Sequence, residues 1–309
     1  MAKRPLILLS NDDGILSPGL LAVARAVAPL AQLLVAAPAR QRSGWSRAMP
    51  ADVGHVERVA LDVPGSVEAW SVDASPAMAV RWALSTRVAS PPDLAITGIN
   101  YGENLGVSIP ISGTLGAACE AASFGPPAIA ASLETDAEHF RTISDEVDFS
   151  VAADITARIA RSILASGLPS HVDVLNVNVP RGANAGTAWR WTRVSRHHYF
   201  ESVVEVRGGE RHIVGWRTAA DPDVIEPDSD IRALALDQLV SVSPVTIDPT
   251  AHSGLVSGDG QARLDGRGQI GGGQDGGAQD NRHLTAQASG GRQFVHPHYD
   301  GQVWLDSCP

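Results

Sequence analysis

Two adjacent aspartates near the start of the chain, Asp12 and Asp13, are the residues whose type and spacing best suit chemistry. They follow the uncharged run Leu6–Ser10, which indicates a strand buried on both faces. Neighbouring side chains on a strand point to opposite faces, but on the next turn, with Gly14 free to adopt positive φ, both carboxylates can face one point. Two converging carboxylates repel each other unless a cation lies between them. The pair is therefore a candidate divalent-metal site, although Asn-Asp-Asp-Gly is also ordinary turn chemistry.

Three further polar segments follow predicted strands, at the edge of the sheet where α/β proteins bind ligands. Residues 38–46 offer two arginines, two hydroxyls and a glycine. In residues 98–106, Asn100 can offer a neutral oxygen to a hard cation, and Asn104 can donate from its amide to a phosphoryl oxygen. Residues 112–114 precede a small-residue helix, whose N-terminal N–H groups attract anions. Each segment also has a simpler interpretation, as a surface loop or a helix N-cap.

Oxygen ligands for a hard cation beside an anion pocket favour hydrolysis of a phosphate ester. In that chemistry the metal polarises the phosphoryl group and lowers the pKa of a bound water, while helix N–H groups hold the phosphoryl oxygens. The sequence contains neither the glycine-rich lysine loop of nucleoside triphosphatases nor the nucleophile elbow of serine hydrolases.

Alternating strand and helix signals occupy the first part of the chain and predict βαβ units with a parallel sheet. The predicted strands are 6–10, 33–37, 53–63, 67–72, 94–97, 129–133 and 172–179, and the predicted helices are 18–27, 76–84, 114–123 and 147–164. A long glycine-rich loop is expected over 98–112. Beyond residue 189 we expect antiparallel strands at 189–194, 199–206 and 212–216, a short helix at 231–236 and a last strand at 239–247.

Composition excludes several classes of protein. The 309 residues carry a formal net charge of −10 without a basic run, which argues against sequence-independent binding to duplex nucleic acid or anionic membrane. Two cysteines exclude a disulfide framework, and no apolar run is long enough to span a bilayer, so a cytoplasmic protein is expected. Residues 254–309 are rich in glycine and poor in apolar clusters, which predicts a disordered tail.

The ordered series of motifs resembles the SurE (survival protein E) family of metal-dependent 5′/3′-nucleotidases. The matching segments are 7–14, 37–46, 98–106, 112–120, 176–180 and 228–253. The likeness covers about residues 5–253 and implies an α/β fold, and we expect residues 1–253 to form the nucleotidase domain. The expected architecture is a Rossmann-like, doubly wound, mostly parallel sheet with an antiparallel C-terminal hairpin extension, about residues 189–230. This extension is expected to take part in a homodimer or homotetramer.

The resemblance also implies an activity: removal of phosphate from nucleoside 5′-monophosphates, and from 3′-monophosphates, with one divalent ion per subunit, Mg²⁺ or Mn²⁺. Carried over by position, the metal ligands are Asp12, Asp13, Ser43 and Asn100, of which the two aspartates are also catalytic. The implied phosphate pocket is lined by Asn11, Gly44, Ser46, Asn104, Ser112, Gly113 and Thr114. The chain departs from the family pattern at Trp45, Met78, Tyr101 and Ile111.

Two alternatives from other classes remain at this point. A phosphoryl or glycosyl transferase on the same fold would need an acceptor and would release little free phosphate without one. A catalytically weak nucleotide-binding module would bind nucleotide without releasing phosphate under any divalent ion. Fold alone does not separate these alternatives, because function belongs to the site.

Overall fold

The computed structural model describes residues 4–136, 139, 144, 146–250, 263–264 and 270–271. Its first seven strands are β1 (Leu6–Ser10), β2 (Gln32–Pro38), β3 (Val56–Val59), β4 (Val67–Val72), β5 (Leu94–Tyr101), β6 (Ala128–Leu133) and β7 (Val174–Val179). They are followed by β8 (Trp189–Trp191), β9 (Phe200–Arg207), β10 (Glu210–Thr218) and β11 (Val240–Val245). Nine of these strands form one sheet in the order β3-β4-β2-β1-β5-β6-β7-β11-β8. The central pairs, from β4 across to β7, are all parallel, as the alternating sequence pattern predicts.

Four helices cover the two faces of this sheet: α1 (Pro18–Val27), α2 (Pro76–Thr86), α3 (Gly113–Ala122) and α4 (Ser150–Ser166). Helices α1 and α4 pack into one apolar core, and α2 and α3 pack into a second core on the opposite face. Proline occupies the first turn of both α1 and α2, where its missing N–H costs no helical hydrogen bond. The doubly wound α/β architecture expected from the sequence is therefore confirmed.

Strand β5 is longer than the sequence pattern predicts. It continues beyond Thr97 to Tyr101, with a shift in its pairing with β6 between Thr97 and Asn100. The predicted loop over 98–112 is therefore wrong at both ends, because a 3₁₀ helix also occupies Gly106–Ile111. The extension places Asn100 on the strand itself, at the carboxyl edge of the sheet.

The C-terminal part adds an antiparallel hairpin, in which β9 pairs with β10. The prediction that the 189–194 strand is antiparallel is wrong, because β8 pairs in parallel with β11 at the edge of the main sheet. The short helix expected at 231–236 is a π-helix over Arg232–Leu236. Buried Asp230, just before it, accepts backbone N–H groups from Gly106, Ser195 and Ile231 at 2.8–2.9 Å, and so ties the C-terminal part to the segment that follows β5.

The chain divides into two units, the first reaching Ile247 and the second beginning at Asp248. In the second unit the structure describes one antiparallel pair, β12 (Arg263–Leu264) with β13 (Ile270–Gly271). The sequence predicts a disordered tail from residue 254. Apart from these two strands, that tail lies outside the described residues. None of the helices in the described part of the chain has the length and apolar character needed to cross a membrane.

Candidate metal and phosphate site

The two aspartates lie on a closed turn at the end of β1. The side chain of Asn11 forms the turn, since its Oδ1 accepts the Gly14 N–H at 3.1 Å and its Nδ2 donates to the Gly14 carbonyl at 3.0 Å. Gly14 has φ +106°, a value that other residues rarely adopt. Asp12 and Asp13 are buried on this turn, with 4% and 1% of their surface exposed. The role of Asn11 in the structure is therefore to shape the turn that carries both carboxylates.

Neutral donors from three other elements orient the two carboxylates. Thr114, in the first turn of α3, donates its hydroxyl to Asp12 Oδ1 at 2.6 Å. The backbone N–H of Tyr101, on β5, donates to Asp13 Oδ2 at 3.3 Å. Gln41, in the loop after β2, donates its Nε2 to Asp13 Oδ1 at 3.1 Å. The pair is thus the point at which β1, β2, β5 and α3 meet.

The electrostatics of this pair suit a cation. Burial raises the pKa of Asp12 to about 6, and burial followed by the charge of Asp12 raises the pKa of Asp13 to about 8. Among the described residues, no arginine, lysine or histidine forms an ion pair with either carboxylate. Two buried carboxylates without a cationic partner fit a divalent ion, whose charge would offset their repulsion.

The described residues contain no group of three or more histidine, cysteine, aspartate and glutamate side chains able to hold a metal ion. An ion at the Asp12–Asp13 pair would therefore need neutral oxygens from amides, hydroxyls or water to complete its shell. Hard cations such as Mg²⁺ accept that kind of shell, often with several waters. The donor set consequently favours a hard cation over a metal that prefers nitrogen or sulfur ligands.

Asn100 is placed to supply one such neutral oxygen. Its Nδ2 donates to the carbonyls of Tyr101 and Gly102, at 3.1 and 2.6 Å, so the amide nitrogen is occupied and Oδ1 is left as the acceptor. The next residue, Tyr101, touches Asp13 through its backbone N–H. Asn100 is therefore the immediate neighbour on β5 of a residue that contacts Asp13.

The N-terminus of α3 lies directly against Asp12. Ser112 is its N-cap, because its hydroxyl accepts the Leu115 N–H at 3.0 Å. At Gly113 a Cβ would stand 2.7 Å from Asp12 Oδ2 and 2.8 Å from Asp12 Cβ, so glycine permits this close approach. The first N–H groups of a helix lack intrahelical partners and attract anions, so this helix end is suited to an anion beside the carboxylates.

The loop after β2 covers the same region. The Arg42 N–H donates to the Asp12 carbonyl at 2.6 Å, and this bond holds the loop against the turn. Ser43 and Gly44, the next two residues, are exposed, and Gly44 has φ +75°. Both directly follow the anchored Arg42 in sequence, and neither is buried in the protein.

The side chain of Ser46 already has a hydrogen-bond partner within the protein. Its hydroxyl donates to the Pro110 carbonyl at 2.6 Å, which joins the loop to the 3₁₀ helix. A Cβ at Gly116 of α3 would come within 2.5 Å of the Ser46 carbonyl, so the loop packs tightly on that helix. The observed contact of Ser46 positions the loop around the helix N-terminus.

The side chain and the backbone of Asn104 also form hydrogen bonds within the protein. Its Nδ2 donates to Ser132 Oγ at 2.8 Å, and its backbone N–H donates to Asn178 Oδ1 at 2.8 Å. Its carbonyl accepts Nδ2 of Asn176 at 2.9 Å and Nδ2 of Asn178 at 3.1 Å. These bonds anchor the segment after β5 to β6 and β7.

Sequence reasoning missed Gln41, Asn176 and Asn178 as parts of this site. Asn176 and Asn178 alternate along β7 and so share one face, a polar pattern in an otherwise apolar strand that marks a hydrogen-bonded partner on that face. Gln41 lies in a segment already identified, but its contact with Asp13 depends on how the loop folds. No sequence signal separates it from its polar neighbours.

Comparison with known proteins agrees with the geometry. The family model described as Survival protein SurE matches residues 7–201. A 5′-nucleotidase SurE from Thermococcus kodakarensis is 41% identical over 246 residues, which are 80% of this chain and 94% of that protein. A 5′-nucleotidase SurE from Thermococcus gammatolerans is 42% identical over 249 residues, which are 80% and 91% of the two chains.

A solved structure gives the same result. The crystal structure of a SurE protein from Aquifex aeolicus superimposes with a TM-score of 0.65 and 28% sequence identity, covering 80% of this chain and 96% of that one. The family resemblance drawn from the ordered motifs is thereby confirmed. With its doubly wound sheet and its paired aspartates at the end of β1, this chain belongs to the SurE family.

Proposed function

We propose that this protein is a metal-dependent phosphomonoesterase that hydrolyses nucleoside 5′-monophosphates, and 3′-monophosphates as further substrates, to nucleoside and phosphate. One observation carries the proposal: two buried carboxylates, which have no cationic partner among the described residues, follow β1, and Asp12 lies against the N-terminus of α3. The names of the relatives, 5′-nucleotidase SurE, support a hydrolase of nucleotides rather than a transferase or an idle binding module.

The proposed metal ligands are Asp12, Asp13, Ser43 and Asn100, which would hold one Mg²⁺ or Mn²⁺ per subunit. When bound, such an ion offsets negative charge on the phosphoryl group and lowers the pKa of water that it coordinates. The contacts from Thr114, Tyr101 and Gln41 fix the direction of both carboxylates before the ion arrives. Either aspartate can accept the proton from the attacking water.

The chain itself would hold the phosphate through backbone donors. Gly113 and Thr114 stand at the first positions of α3, where their N–H groups have no intrahelical acceptor. We propose that these groups, with the Gly44 N–H, donate to the phosphoryl oxygens. Asn11, Ser46, Asn104 and Ser112 complete the pocket by holding its backbone, since their side chains already have partners in the protein.

Phosphate release tests this function. We expect release from a panel of nucleoside monophosphates in the presence of Mg²⁺ or Mn²⁺, without any added acceptor, and none with chelator. Asp12→Asn should lower turnover by about 100-fold or more, because it removes one of the two charges that hold the ion. Asp154→Asn, an exposed substitution on α4, is the matched control and should keep full activity. Retention of most metal-dependent turnover by Asp12→Asn would reject the proposed site.

We also propose that the β9–β10 hairpin joins subunits into a homodimer or homotetramer. Val204, Val206 and Ile213 share one face of the hairpin and are 43–69% exposed, which is unusual for large apolar side chains in a monomer. Ile213→Glu should shift the mass measured by light scattering toward the monomer, and an unchanged mass would contradict this assignment.

A cytoplasmic location stays a prediction of the sequence, based on its low cysteine content.

A further inference from the structure

Trp45 is an exposed indole on the loop that covers the aspartate pair. It exposes 42% of its surface, although large aromatic side chains are usually well buried. The backbone N–H of Trp45 donates to the Arg42 carbonyl at 3.3 Å, and the backbone N–H of Arg42 donates to the Asp12 carbonyl at 2.6 Å. Two successive backbone hydrogen bonds therefore link the indole-bearing residue to the metal and phosphate site.

The indole is held in place from one side. The Arg42 guanidinium lies over the ring, with Cζ 4.5 Å from the ring centroid, a cation–π arrangement. That guanidinium is itself fixed, since its Nη2 is 2.7 Å from Asp73 Oδ1 and only 15% of the Arg42 side chain is exposed. The ion pair thus orients the guanidinium, and the guanidinium orients the indole.

A second exposed apolar side chain lies on the neighbouring segment. Ser46, next to Trp45, donates its hydroxyl to the Pro110 carbonyl at 2.6 Å. The residue after Pro110 is Ile111, which is 64% exposed and immediately precedes the N-cap of α3. Two large apolar side chains are therefore exposed on segments that are bonded together beside the N-terminal part of α3.

Building on the proposed nucleotidase function, we propose that Trp45 is the platform on which the nucleobase stacks while the phosphate lies at the N-terminus of α3. Every base has a π-face, so stacking on an aromatic side chain tolerates all bases and gives the largest contact with purines. A guanidinium fixed behind the ring reduces the conformational freedom that the indole loses on binding. Trp45 would thus determine preference for nucleotides over phosphate esters without a base.

Steady-state kinetics on paired substrates tests this role. We expect Trp45→Ala to raise KM for adenosine 5′-monophosphate about 5- to 150-fold, the range expected for the loss of one base stack. The same variant should leave kcat and the KM for ribose 5-phosphate unchanged, and should reduce the preference for purine over pyrimidine nucleotides. Trp45→Phe, which keeps an aromatic face, should restore most of the difference in KM between adenosine 5′-monophosphate and ribose 5-phosphate. Met49→Ala, an exposed apolar substitution in the same region, is the control for loop disturbance.

Two outcomes would overturn the stacking role. Equal increases in KM for adenosine 5′-monophosphate and ribose 5-phosphate would assign Trp45 to the phosphate loop, and unchanged values for both would assign it no role. Calorimetric binding of the two compounds in the presence of Mn²⁺ makes the same comparison without turnover. If the wild-type protein releases no phosphate, the nucleotidase proposal fails, while a loss of the binding preference in Trp45→Ala would still support stacking.

Discussion

Gly113→Ala should separate activity from stability more sharply than any other single substitution at this site. The added Cβ would stand 2.8 Å from Asp12 Cβ and 2.7 Å from Oδ2 of the same side chain. An ordinary contact begins near 3.4 Å, so the atoms must separate by about 0.6 Å. Asp12 cannot turn away freely, because Thr114 and the Arg42 N–H both hold it at 2.6 Å.

The expected effects on the two quantities differ in size. Alanine is a better helix former than glycine by about 1 kcal/mol, and this gain offsets part of an overpacking cost of about 1–3 kcal/mol. The net loss in the free energy of unfolding should therefore stay below about 2 kcal/mol. A displacement of several tenths of an ångström at a metal ligand should instead lower kcat/KM about 10- to 100-fold, since a misplacement of 1 Å can cost about 100-fold.

Phosphate release at saturating Mn²⁺ and urea denaturation of the same preparation measure both quantities. Gly182→Ala is the matched control, because the space around its Cβ is open and its φ is not positive. We expect this control to keep full activity. A Gly113→Ala variant with normal activity and normal metal affinity would refute the assignment of Asp12 to the ion.

Three further predictions concern buried carboxylates. Mn²⁺ affinity should rise between about pH 5 and pH 8, because burial raises the pKa of Asp12 to about 6 and that of Asp13 to about 8, and the ion must displace these protons. Calorimetry should detect the release of protons on Mn²⁺ binding. An affinity that does not change with pH would contradict this prediction. The metal-free protein should lose stability as pH rises through the same window, because its folded carboxyls keep protons that the unfolded chain releases near pH 4; a thermal midpoint that rises instead would oppose this. Asp230→Ala should lower the free energy of unfolding by about 3 kcal/mol, since three backbone N–H groups lose their acceptor. The exposed Asp228→Ala should cost less than about 1 kcal/mol in the same urea titration, and similar losses in both variants would contradict the anchoring role.

Local signals were sufficient to predict most of the fold. Uncharged apolar runs mark β1 and β2, and a proline in the first turn marks α1 and α2, because these features act within a few residues. The extension of β5 could not be predicted in this way. Gly98 and Gly102 suggest a loop, but pairing of Asn100 with Ser132 and of Tyr101 with Leu133 on β6 extends the strand. Such pairing depends on residues far away in sequence.

In the candidate site, too, local sequence signals locate some residues, whereas other contacts depend on segments far away in sequence. Asp12 and Asp13 could be located because they follow a strand whose carboxyl end is recognisable, and the geometry of a parallel sheet places that end at a ligand site. The hydrogen bonds that occupy Ser46 and Asn104 could not be anticipated, since their acceptors, Pro110 and Ser132, lie in other segments. Sequence spacing therefore indicates which residues meet at the sheet edge, but not which polar atoms remain available to a ligand.

The central claim is that Asp12 and Asp13 together hold one divalent ion. A crystal of the protein grown with Mn²⁺ and measured near the manganese absorption edge tests this claim most directly. We expect one strong anomalous peak within about 2.5 Å of a carboxylate oxygen from each aspartate, with Asn100 Oδ1 also in its shell. A well-ordered crystal that shows no peak between these two carboxylates, or shows the ion elsewhere on the protein, would contradict the account.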